Sequence, residues 1–242
     1  MRRDIPDPSI YTAEPMKELL AALGIGGSAK APSTSATFYR PYAEEHVNFL
    51  YNLLFCDDVS LFERGGQNCS GPLASLLADQ PDSASLRAIA DDVTNEGRVR
   101  ALAYNQLRAA GEEVPQKKAL GIIVEVPLER GLDVLAAFCE GGVRYLNQSG
   151  KVVVFEGQGN PVEDLAKELV GLAQHVVDQL GPWDKPRLPP PRGDTVRLSF
   201  LVSDGLYFGQ GPYGFMSQDG RAGPLLAKAT QLLQRATDLA SK

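Results

Sequence analysis

The sequence predicts an α+β protein: an N-terminal helical layer, then an antiparallel sheet of about six strands with two covering helices. Three observations carry this. Short apolar runs separated by Gly-bearing turns fill residues 118–157. Two amphipathic stretches follow, near residues 160–180 and 224–239, with a second pair of strand-like runs between them. Residues 39–113 place their apolar side chains at helical spacing instead. The order after residue 113 is therefore ββββ-α-ββ-α, in which two helices bury their stripes on one face of the sheet. The expected organisation is an irregular segment and linker over 1–38, a helical region over 39–113 and a sheet domain over 114–242. The helical region reads either as a second layer on the sheet or as a small domain.

At the start, Pro6, Pro8 and Pro15 punctuate the chain, Met16–Leu23 has room for two helical turns, and Gly24 to Gly27 end them before a small-residue tether. No G-K-[ST] follows these glycines, so they do not read as a phosphate loop. Pro41 suits the first turn of a helix running to about Cys56, with Ala43, Val47, Leu50, Tyr51 and Leu54 at helical spacing. Phe49, Leu53 and Phe55 make that helix apolar almost all round, which marks a central or partner-covered helix. Shorter helices follow. Asp82 or Ser83 is placed to cap one, and Asn95 the next, which runs to Gly111.

The central meander consists of Leu120–Leu128, Leu132–Cys139, Gly142–Leu146 and Lys151–Glu156. Connections this short make neighbouring strands antiparallel. The second run also has helical character through its Leu and Ala residues. Its alternation favours a strand, with Val134, Ala136 and Phe138 on one face and Leu135, Ala137 and Cys139 on the other. Pro127 donates no ladder bond and belongs at an edge, a bulge or a strand end. Val143, Tyr145, Val152 and Val154 form an expected core face, with Arg144 on the wet side or at the turn. Asn160-Pro161 opens the next helix, whose buried face begins at Val162 and Leu165. Residues 181–194, GPWDKPRLPPPRGD, form a proline-rich connector. It contains a P-x-x-P match at Pro186–Pro189 but reads first as a stiff spacer. Asp204-Gly205 signals a hairpin, and a Gly-rich loop through Gly223 carries Tyr213, Phe215 and Met216.

A net charge of −6 and a pI near 5.1 argue against a nucleic-acid partner, which needs a basic face. No apolar run is long enough to span a bilayer, and DIPDPSIYTAEP after the basic start is not a signal-peptide core. Cys56, Cys69 and Cys139 suit free thiols in a reducing cytoplasm. With two histidines, His46 and His175, and no short ligand spacing, no metal site and no cofactor is expected. Cys56 precedes Asp57-Asp58 at a helix end, where both the carboxylates and the helix dipole disfavour a thiolate, so it reads as a buried structural cysteine. The pairs Glu44-Glu45, Asp91-Asp92 and Glu112-Glu113 diverge by about 100° on a helix and make no acid/base dyad.

Without a catalytic set, the expectation is a cytoplasmic, non-catalytic interaction or scaffold protein, as a homo-oligomer or with a protein partner, and without nucleic acid or membrane. The alternative is a small-ligand-binding protein or enzyme with its pocket between the helical half and the sheet. Candidate binding residues are Arg144, Tyr145, Tyr207, Gln210, Tyr213 and Phe215. The aromatic ones sit among close glycines, a composition suited to recognition.

Overall fold

The structure, a computed structural model, describes residues 37–63, 71–78 and 80–241. The expectations for Met16–Leu23, its glycines and Cys69 lie outside the described residues. Six strands form one antiparallel sheet in the order β4-β3-β2-β1-β5-β6. They are β1 (Ala119–Leu128), β2 (Gly131–Phe138), β3 (Val143–Leu146), β4 (Val152–Phe155), β5 (Thr195–Val202) and β6 (Gly205–Pro212). Among the described residues, five helices precede the sheet: α1 (Glu45–Leu53), α2 (Ser60–Glu63), α3 (Pro72–Leu76), α4 (Ser83–Asp91) and α5 (Gly97–Ala109). Then α6 (Glu163–Val177) separates β4 from β5, and α7 (Tyr213–Met216) and α8 (Ala222–Ala240) close the chain. This is the expected α+β arrangement, and residues 132–138 are strand.

Alternation along the strands builds two cores. On one face Ile122, Val124, Leu135, Ala137, Val143, Leu198 and Phe200 meet Leu169 and Ala173 of α6 and Leu225, Leu232 and Ala236 of α8. On the other, Leu120, Ile123, Val134, Ala136, Phe138, Leu146 and Leu201 meet Tyr51, Leu86, Leu102, Tyr104 and Leu107 of the helical half. The sheet is thus buried on both faces, which explains why β1 reads as a continuous apolar run. Pro127 lies near the end of β1, beyond the last β5 pairing at Glu125, so its missing N–H costs no bond to that neighbour.

Several local expectations change, each for a tertiary reason. Val143 and Tyr145 pair with Phe155 and Val153, so Val153 and Phe155 share their face, whereas Val152 joins the opposite core. Arg144 is buried, not wet. The first helix starts at Glu45, because Asn48 turns back to accept the Tyr42 N–H at 2.8 Å and donate to the Tyr42 carbonyl at 3.0 Å. Asp82 caps α4 through the Ala84 and Ser85 N–H groups. Asn95 does not cap α5: its amide donates to the Ile89 carbonyl, and Glu140, from the β2–β3 turn, accepts the Gly97 N–H at 2.7 Å. Asn160 accepts the Val162 N–H, and α6 begins one residue later. The expected Gly-rich loop is mostly ordered structure, divided between β6 and α7.

Candidate binding surface at the sheet edge

The six candidate residues do not converge. Arg144 lies on β3 and Tyr207 on β6, with β2, β1 and β5 between them, about 19 Å apart at about 4.8 Å per strand spacing. Arg144 donates to the Phe155 carbonyl at 3.0 Å and to Glu156 at 2.7 Å, while burial and the neighbouring Arg98 guanidinium lower its pKa. Tyr145 projects from the opposite face, donating its hydroxyl to Asp133 and accepting from Asn147. Tyr207 is wholly buried in the α6/α8 core, and burial followed by its bond to Asp204 pushes its hydroxyl up to about 12. These three side chains are engaged within the fold.

Gln210, Tyr213 and Phe215 lie together at the β6–α7 end. Gln210 closes a cross-strand row, Glu125–Arg197–Gln210, on β1, β5 and β6. Glu125 is fully buried, accepts the Tyr51 hydroxyl at 2.7 Å and stands 3.7 Å from Arg197, and burial raises its pKa. Arg197 donates to Gln210 at 3.0 Å and to the Leu188 and Pro189 carbonyls. Tyr213 and Phe215 have no such commitments: they are 49% and 70% exposed, while Met216 of the same turn is buried in the α6/α8 core. Helix α7 therefore anchors by Met216 and displays both rings.

Sequence reasoning missed the strap. The proline-rich connector is fastened across the helical half by Arg187, whose side chain is only 3% exposed. Its guanidinium donates to Asp57 at 3.0 Å and Asn52 at 2.8 Å and lies 3.9 Å from the centre of the Phe55 ring. Tyr39 donates its hydroxyl to the Arg187 carbonyl. Burial raises the Asp57 pKa against the pull of Arg187. Upstream, the Trp183 N–H bonds the Leu206 carbonyl at 2.7 Å and its indole meets the Phe208 ring edge-on. Between this strap, α5 and the end of β5 lies a cleft of about 450 Å³ lined by Phe55, Asn105, Arg108, Trp183, Arg187 and Asp204. Cys56 borders it. Burial pushes the Cys56 thiol up to about 12, so the side chain behaves as a structural group. The arginine-and-proline composition of the connector was the available signal, but its acceptors lie about 130 positions upstream.

Among the described residues no cluster of three or more His, Cys, Asp or Glu side chains is arranged to hold a metal ion, and no helix is long and apolar enough to cross a membrane. Comparison with protein-family models, curated proteins and solved structures finds no significant match to the chain.

Proposed function

We propose that this is a non-catalytic interaction protein of the cytoplasm that engages a protein partner through the β6–α7 end of its sheet. The observation that carries the reading is the display of Tyr213 and Phe215 on a turn fixed from below by buried Met216. Rigid aromatic rings with free faces are the side chains that dominate association energetics. The polar side chains beside them, Arg197 and Gln210, are engaged with each other, which favours recognition over chemistry. The double variant Tyr213→Ala/Phe215→Ala should weaken partner capture or self-association by about 30-fold, the equivalent of about 2 kcal/mol. Its unfolding free energy should stay within about 0.5 kcal/mol of the parent, because both side chains are surface groups. Quantitative cross-linking and light scattering read the first quantity, and a urea melt the second. Unchanged association would remove this surface from the account.

A second reading, a small-ligand receptor, is favoured by the 450 Å³ cleft beneath the strap. A metabolite that raised the melting temperature of the parent but not of an Asn105→Leu variant would favour it over the first.

A further inference from the structure

Resting on the interaction reading, we infer that β6 takes up an extended, uncharged segment of a partner protein as an added strand. A large apolar side chain of that segment lies over Gly209. Three observations lead there.

The first is hydrogen bonding. In an antiparallel strand, the backbone N–H and C=O of one residue point to the same side and those of the next residue to the other. Gly205 pairs with Val202 across the Ser203-Asp204 turn, and the Leu206 carbonyl points away from β5 to Trp183. Leu206, Phe208, Gln210 and Pro212 therefore face outward, and Tyr207, Gly209 and Gly211 face β5. Pro212 has no N–H to leave open. Among the described residues, the outward backbone groups of Phe208 and Gln210 have no backbone partner outside the ladder.

The second is charge. The opposite edge, β4, is four residues long and flanked by Lys151 and Glu156, the usual protection of an exposed edge. β6 is eight residues long, and no charged residue occurs from Gly205 to Gln218. At its ends both signs are present, Asp204, Asp184 and Lys185 at one and Arg192 and Asp194 at the other, so neither end carries a single sign. The complement of such an edge is an uncharged strand.

The third is shape. A Cβ on Gly209 would meet nothing within 4 Å, so the α6/α8 side of this edge has open space between Tyr207 and Gly211. A bulky residue on an adjacent strand fills such a gap over a glycine. A second copy does not. Two-fold pairing centred on Gly209 sets it against itself and drives Pro212 toward Leu206, where Trp183 already sits. Pairing centred on Gln210 sets Gly209 against Gly211. Neither supplies a side chain, and pairing centred on Phe208 sets Gly209 against Tyr207, whose ring is already buried in its own core.

The test uses the full chain and blocked, uncharged octapeptides of alternating Thr and Val, with Phe, Ile or Ala at one central position, followed by fluorescence anisotropy. The Phe and Ile peptides should bind, and the Ala peptide about tenfold more weakly or worse. N-methylation of the alternate peptide nitrogens that face β6 should weaken binding at least tenfold, and Gly209→Lys should do the same. The melting temperature of Gly209→Lys should be preserved, since its Cβ enters open space. Absence of binding up to about 1 mM peptide, or binding indifferent to N-methylation, overturns the inference. Loss of partner capture by Tyr213→Ala/Phe215→Ala alongside absent peptide binding would leave the interaction reading standing and remove strand addition alone.

Discussion

Replacing Arg187 with alanine should destabilise the protein by about 3–5 kcal/mol, the cost of breaking a buried ion pair from one side. The guanidinium is held by Asp57, Asn52 and the Thr37 carbonyl and lies against Phe55, so truncation removes both the charge partner and the packing. What remains is a carboxylate at Asp57 whose burial already raises its pKa, now with no cation beside it. The strap would keep its Trp183 bond, the Tyr39 bond to the carbonyl of residue 187 and the Arg197 bonds to Leu188 and Pro189, but lose its buried side-chain anchor to Asp57 and Asn52. Lysine should recover little, because one ammonium cannot reproduce a planar fork serving several acceptors and an aromatic face. Urea unfolding reads the change as a lowered midpoint at an unchanged slope. A loss below about 1 kcal/mol would mean that the strap contributes little to the fold.

Phe138→Ala should cost a similar amount, about 3–5 kcal/mol, by a different mechanism. Phe138 is 1% exposed, at the end of β2, and its register partner on β1 is Gly121. The ring occupies the space a side chain on Gly121 would need: a Cβ there would lie 2.8 Å from Phe138 Cδ1. Arg98 stacks over the ring at 5.7 Å. Truncation therefore opens a cavity bounded by a strand that has no side chain with which to fill it, and uncovers a guanidinium at the same time. Because the ring joins β2 to the helical half, thermal unfolding should remain a single transition at a lower temperature. A second, separate transition would show that the helical half and the sheet do not share a core.

The legible parts of the fold were those set by local pattern. The alternation Val134, Ala136, Phe138 against Leu135, Ala137 is the division between the two cores. The run Val152-Val153-Val154 has no alternation, so its facing was decided only by pairing with β3. Glycine is depleted in strands, yet Gly209 and Gly211 sit inside β6, where their composition predicts a Gly-rich loop. Glu125 and Arg187 are polar residues buried by partners from distant parts of the chain, and Arg144 is buried by partners at the end of the next strand; no local rule announces them. The Glu140 cap of α5 spans 43 positions and is invisible for the same reason. Of the candidate site, exposure of Tyr213 and Phe215 matched their composition, whereas Tyr145 and Tyr207 have the same chemistry but point into the core.

The central claim, a β6 edge left open at Phe208 and Gln210 among the described residues, is tested most directly by residue-resolved amide hydrogen exchange on the isolated protein. The amides of Tyr207, Gly209 and Gly211, which face β5, should exchange slowly, and those of Phe208 and Gln210 at close to the unprotected rate. Equal protection of all five amides would show that the edge is already occupied, and would contradict the account.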